Sequence, residues 1–258
     1  MNVKPIDSMP SGADLGALAP GPTLKLNPFL AKVREFAGLM SGGHAGGAAR
    51  MVLGRLYSRP TALGLARDLS QPVAIPAARI PFTIRPLQPG DDLSFLHQAP
   101  PGEGVDAAVW RLNQLRFIEA GIPTCYVAVT GEGRICYIQW LVSGRDMPRM
   151  VTLFGNIFPE MADDEGLLEG AYTPPDFRGQ KLMSAAMTLI AGHGIPRGMR
   201  RIITFVGDDN IGSLKGCKNA GFSPALRRTY TFLMFRRFVD FKTLPAGTPY
   251  SFDNKPVH

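Results

Sequence analysis

Histidine and cysteine are scarce in this chain, and their arrangement removes several classes of chemistry. The four histidines, His44, His97, His193 and His258, are scattered, with no carboxylate or cysteine at ligand spacing, so no metal constellation can be read. The three cysteines, Cys125, Cys136 and Cys217, are odd in number and lack CxxC spacing. This argues against a disulfide framework and for a reducing, cytoplasmic setting. No run of about 18 apolar residues occurs, so no transmembrane segment is expected. The amino terminus, MNVKPIDSMPSGADLGALAPG, lacks the charged-then-apolar layout of a signal peptide. Basic residues are spread along the chain without aromatic interleaving, and no nucleic-acid partner is expected.

Against these absences stand an apolar share of 45% and a charged share of 19%, the balance of a folded chain with a sizeable core. The net charge of +7 favours polyanions of any kind, including an acidic carrier protein or a phosphorylated cofactor, without choosing among them.

Composition divides the 258 residues. Residues 1–23 are rich in Pro, Gly and Ala without periodicity and read as a flexible tail. Residues 24–80 read as a helical extension and proline-rich connector. Asn27 is placed to cap a first helix, and AARMVLGRLYSRPTALGLARDL is helical in pattern on both sides of Pro60. Arg50, Arg55, Arg59 and Arg67 lie along it, either as a surface for an acidic carrier protein or membrane, or as the solvent side of a helical cover. From residue 81 to 242 the grain is that of a mixed domain, and 243–258 reads as a carboxy-terminal tail. FTIRPL, TCYVAVTG, RICYIQWLV, GLLEGAYT and RRIITFVG read as strands, with PRMVTLFGNI a further candidate and TYTFLMFRRFVDF a long final strand. GVDAAVWRLNQLRFIEAG, QKLMSAAMTLIAGHG and a short segment capped by Asp209 or Asn210 read as helices. The expected fold is α+β: a mixed, mostly antiparallel sheet flanked by helices.

Two segments carry a resemblance. GAYTPPDFRGQKLMSAAM, followed about thirty residues later by DDNIGSLKGCKNAGF, resembles the signature segments of the GCN5-related N-acetyltransferase (GNAT) family. The resemblance covers the later two-thirds of the chain. It implies an N-acyltransferase that moves an acetyl or other short acyl group from acyl-CoA to a primary amine of a small acceptor, without metal. A donor presented by an acyl carrier protein and a non-catalytic binding module are the alternatives. The family's pyrophosphate loop reads Gln or Arg, two residues, Gly, one residue, Gly or Ala. Arg178 and Gly179 fit, with Gln180 following, whereas Lys181 and Met183 fill the later small positions and Leu182 lies between them. The resemblance thus implies CoA contacts from Ala171, Tyr172, Thr173, Arg178, Gly179, Gln180, Lys181, Leu182, Met183, Ser184, Asn210 and Ser213. A loop entering a helix supports the phosphate part of this on physical grounds, because the first helical N–H groups and the helix dipole both favour an anion.

Acyl transfer needs a proton acceptor for the amine and a donor for the oxyanion. The family commonly takes the latter from a backbone N–H of the strand before the loop, here within residues 170–173. Glu169 stands in that otherwise apolar strand, either as general base or as a solvent-facing residue near the sheet end. Where many members place a tyrosine that protonates the leaving thiolate, this chain has Cys217, either a general acid or a packed small residue. Tyr172 and Tyr230 are further hydroxyl candidates. Trp110 and Trp140 could line an acceptor pocket or fill the core.

Overall fold

The computed structural model describes residues 53, 54 and 56–253. The expected tail over 1–23, the first helix and Arg50 and Arg55 lie outside those residues. The architecture is α+β, a mixed, mostly antiparallel sheet with helices on both faces. Its strands are β1 (Tyr57–Ser58), β2 (Thr61–Asp68), β3 (Thr83–Pro86), β4 (Cys125–Val129), β5 (Ile135–Ser143), β6 (Glu165–Tyr172), β7 (Arg201–Gly207), β8 (Ser223–Leu233) and β9 (Arg236–Thr243). Along the sheet they run β1-β8-β2-β7-β6-β5-β4-β3, with β9 paired to β8. The main helices are α1 (Val105–Glu119), α2 (Met147–Phe154), α3 (Leu182–Gly192) and α4 (Ile211–Asn219).

The alternating and continuous apolar runs of β4 to β7 explain their place in the middle of the sheet. One face packs on α3 and α4 through Leu168, Ala186, Met187, Ile190, Leu214 and Cys217. The other packs on α1 and α2 through Phe117, Trp140, Met150, Leu167 and Phe205. Trp140 is fully buried, with its indole N–H donating to the Ile122 carbonyl at 3.2 Å. Each such side chain contributes about 1.5–3 kcal/mol through removal from water.

Four expectations from the sequence are corrected. First, TALGLARD after Pro60 is strand β2, not helix, and lies inside the sheet between β7 and β8. Its Ala, Leu and Arg favour helix locally, but ladders on both sides override that preference. Gly64 is required there, since a Cβ would sit 2.8 Å from the Leu226 Cβ and the Phe205 ring. The sheet thus begins well before residue 81. Arg67 is buried on this strand and donates to the Ala220 carbonyl at 3.2 Å, so it is not a surface arginine.

Second, PRMVTLFGNI forms helix α2 rather than a strand, with Pro148 in its first turn, where a missing N–H costs nothing. Third, TYTFLMFRRFVDF is not one strand but the hairpin β8–β9, turning at Met234 and Phe235, both at positive φ. Such a turn normally announces itself with Asn-Gly, and neither residue is present. Fourth, within the segment read as a carboxy-terminal tail, residues 244–253 are docked on the domain. The buried Tyr250 donates its hydroxyl to the Phe222 carbonyl at 2.6 Å, and Lys218 pairs with Asp253 at 2.7 Å.

Candidate active site

The central feature is the way β6 leaves its neighbour. β6 and β7 run parallel and pair only over Glu165↔Arg201, Gly166↔Ile202 and Leu167↔Ile203. Beyond Leu167 the two strands part, and β6 loses its ladder partner on that side. On the other side, the register with β5 steps from Trp140↔Glu169 to Ile138↔Tyr172, so β6 carries one extra residue. The bulge falls at Gly170, whose φ of +69° suits glycine and whose absent side chain leaves room for Trp140 and Gln114. A bulge re-aims the side chains beside it, and Glu169 is the residue beside this one.

Glu169 opens onto a pocket of about 260 Å³. Trp110, Asn113, Arg116 and Phe117 form one wall from α1, and Leu153, Phe154, Ile157 and Phe158 form another from α2 and the turn after it. Arg228 and Tyr230 of β8 and Arg237 of β9 close the remaining side. Burial pushes the Glu169 carboxyl above the usual carboxylate range, against the opposing pull of Arg228 and the Gly170 amide. A carboxylate so placed is a stronger base than one in water. Tyr230 is likewise raised by burial, with Arg228 pulling it back.

Where β6 ends, a turn over Pro175–Phe177 leads into α3. Arg134 holds that turn, pairing with Asp176 at 2.8 Å and lying 4.8 Å over the Phe177 ring. The loop that follows is fixed from outside by Arg79, whose N–H donates to the Gln180 carbonyl at 2.9 Å and whose Nη1 donates to the Gly179 carbonyl at 3.2 Å. Lys181 is the N-cap of α3 in a left-handed conformation (φ 56°, ψ 24°) and supplies no side-chain cap. The first N–H groups of α3 therefore lack both an intrahelical and a capping partner. Arg178, Gly179 and Lys181 are exposed around this helix end, and Arg178 Nε donates to the Thr173 carbonyl at 3.3 Å. Leu182 and Ser184 are buried, and Met183 lies against Gly216 of α4.

The sequence-predicted site residues thus separate. Ala171, Tyr172 and Thr173 continue β6 past the point where it leaves β7, and the 178–184 segment follows them directly. Asn210 is the cap of α4, accepting from the Ser213 N–H at 3.0 Å. Cys217 does not join the site. It is fully buried in the core on the α3 side, 4.0 Å from the Met187 sulfur, and burial pushes its thiol up to about 12. A thiol with no route to solvent cannot serve a leaving group, so the packed-residue alternative holds. The two tryptophans also divide: Trp110 lines the pocket, and Trp140 is core.

Sequence reasoning missed Phe154, Arg228 and Arg237. Phe154 sits on a helix read as a strand; Arg237 sits within the segment read as a single strand, and Arg228 lies just before it. Tyr172 is buried, stacks on Phe95 at 6.1 Å, and its hydroxyl has no hydrogen-bond partner among the described residues.

Among the described residues, no group of three or more His, Cys, Asp or Glu could hold a metal ion, and no helix is long and apolar enough to cross a membrane. No family model matches the chain, and no curated protein sequence matches it. Among solved structures, the chain is similar to a GCN5-related N-acetyltransferase from Sphaerobacter thermophilus, at 16% identity and a TM-score of 0.44, over 78% of this chain and 57% of that one. It is similar to a GNAT-family acetyltransferase from Colwellia psychrerythraea, at 16% identity and a TM-score of 0.43, over 70% and 58% respectively. A GCN5-related glucosamine N-acetyltransferase region of a fungal multi-domain beta-N-acetylglucosaminidase gives 12% identity and a TM-score of 0.49, over 70% and 22%. The chain spans less than two thirds of the length of each of these structures. The solved structures that this chain resembles include acetyltransferases of the GNAT family.

Proposed function

We propose that this protein is an acyl-CoA-dependent N-acyltransferase acting on a primary amine of a small acceptor. The observation that carries the reading is the double role of β6. The strand presents Glu169 to a small pocket on the α1 side, and its own continuation leads into the uncapped end of α3. Donor and acceptor sites on opposite sides of one strand are what a transfer between two substrates requires. The pocket, at about 260 Å³, suits a small amine rather than a macromolecule.

In this reading the pyrophosphate of CoA rests on the free N–H groups at the start of α3, with Arg178 and Lys181 beside it. The pantetheine arm runs along the unpaired edge of β6 towards the bulge, with Asn210 and Ser213 on its α4 side. The amine enters as an ammonium, and Glu169 takes its proton. The nitrogen lone pair then attacks the thioester carbonyl, forming the C–N bond, while a backbone N–H within residues 170–173 steadies the oxyanion. Collapse breaks the C–S bond and releases the thiolate, and the new amide nitrogen gives up its second proton to solvent. With Cys217 in the core, the thiolate takes its proton from solvent, as a thiol whose pKa lies above neutral does.

Calorimetric titration with acetyl-CoA tests the donor half, and amine-dependent release of free CoA tests the transfer. Binding together with amine-dependent release is the expected result. Absence of CoA binding at millimolar ligand, with turnover of an acyl carrier protein thioester instead, would transfer the same chemistry to the other donor.

A further inference from the structure

The pocket facing Glu169 has a charge pattern that a plain amine does not need. Its lining contains one acid, Glu169, and three guanidinium groups, Arg116, Arg228 and Arg237. A cationic substrate gains nothing from an enclosed guanidinium, so Arg228 needs another explanation.

Arg228 is the most telling. Its guanidinium lies 4.3 Å from the Phe205 ring centre and 4.7 Å from that of Tyr230, which fixes its plane. Nη1 donates to the Ile157 carbonyl at 2.9 Å, and Nε is buried with no partner. No carboxylate among the described residues lies within ion-pair distance of it. Arginine does not lose its proton in proteins, so this is a largely enclosed positive charge without a paired anion. Enclosed charges are ordinarily paired, because desolvation is otherwise uncompensated. Arg116 and Arg237 line the same pocket. Arg116 Nη2 donates to the Leu153 carbonyl at 3.3 Å, and Arg237 Nη2 donates to the Phe154 carbonyl at 2.6 Å.

We infer that the acceptor is an amino acid, an amine bearing its own carboxylate, with the ammonium towards Glu169 and the carboxylate towards Arg228. The inference rests on the acyltransferase reading and adds the substrate class to it. A zwitterion is the complement of an acid and an arginine lining one small pocket. The apolar remainder of the lining, Trp110, Phe154 and Phe158 foremost, then faces the amino-acid side chain and favours an apolar or aromatic one.

The test is a set of matched acceptors with saturating acetyl-CoA: phenylalanine, its decarboxylated amine, its carboxamide, and the aminophosphonate analogue. Phenylalanine is expected to exceed the amine and the carboxamide in kcat/KM by about 10-fold or more, the range of a charge-assisted contact. The preference is expected mainly in KM and to collapse in Arg228→Gln. Should that variant fold poorly, the wild-type ratio decides alone. Equal or better use of the decarboxylated amine overturns the inference and leaves the acyltransferase reading standing. A preferred aminophosphonate retains anion recognition but overturns the assignment to a carboxylate. No turnover of any acceptor, with no acyl-CoA binding, overturns the acyltransferase reading itself.

Discussion

Arg237 donates through Nη2 to the carbonyl of Phe154 at 2.6 Å, joining the last strand to the carboxy-terminal end of α2. The bond ties together two parts of the chain 83 residues apart and closes one side of the pocket in front of Glu169. A cation at a helix carboxy terminus is also favoured by the helix dipole. Replacing Arg237 with Gln is expected to loosen this closure. Its effect should be a higher KM for the acceptor, with the Kd of acetyl-CoA unchanged, because the donor site lies on the other side of β6. A weakened Kd for the donor would show that the two sites are not separated in this way.

Glu169 is expected to set the pH dependence of both activity and stability. Its folded pKa is raised above the unfolded value by burial, so folding favours the protonated form. Its contribution to stability is therefore fully present below the unfolded pKa, near 4.3, and is lost as pH rises through the folded pKa. Glu169→Gln should melt at a higher temperature than the parent at neutral pH, and the gap should close in acid. Activity should run the other way, rising with pH as the base ionises, with the acidic limb of kcat/KM above the normal carboxylate range. Melting curves from pH 4 to 8 check the first half, and a rate profile checks the second. A gap that widens in acid would mean the carboxylate, not the acid, is the favoured form.

Lys181 occupies a left-handed conformation that glycine adopts freely and other residues adopt at about 1–2 kcal/mol. Lys181→Gly should therefore stabilise the fold by roughly 1 kcal/mol, offset in part by the added freedom of the unfolded chain. The same change should weaken CoA binding, because a cation beside the pyrophosphate is lost, and the loss should shrink at high salt. Titration of both forms at two ionic strengths measures this. Tighter binding by the glycine variant would mean that lysine obstructs the phosphate.

All three cysteines are buried, and Cys217 has its thiol pushed up to about 12. Alkylation of the native protein at pH 8 should accordingly be slow at each of them, and fast only in denaturant. Rapid modification of Cys217 in the folded state, with loss of turnover, would return it to the mechanism.

Tyr250 anchors the end of the described chain through its bond to Phe222. Tyr250→Phe should cost about 1 kcal/mol, the usual net value of one hydrogen bond, with more expected on account of the stranded carbonyl. Thermal melting reads this, and an unchanged midpoint would argue that the segment after 243 contributes little.

Apart from α2, the strands and helices from Cys125 to Gly207 are legible because their apolar patterns and their tertiary surroundings agree. Glu169 was legible for the opposite reason, as a charge in an apolar strand is a local conflict that calls for an explanation. What escaped was set by pairing rather than pattern. TALGLARD carries helix formers, yet two neighbouring strands claim both its edges. Met234 and Phe235 turn a hairpin without turn residues, so that Arg228 and Arg237 line one pocket is not visible in the sequence. The sequence leaves Cys217 open between general acid and packed residue because a motif position is one-dimensional, and only packing shows that α4 points it into the core.

The most direct measurement is the steady-state acylation of an amine by acetyl-CoA in the parent protein and in Glu169→Gln, with donor affinity determined for both. If β6 serves donor and acceptor together, the parent turns over, and the variant binds acetyl-CoA equally well while losing about 10²–10⁴-fold in kcat. Parent-like turnover by the variant from pH 6 to 9 would contradict the role assigned to Glu169 and the pocket in front of it.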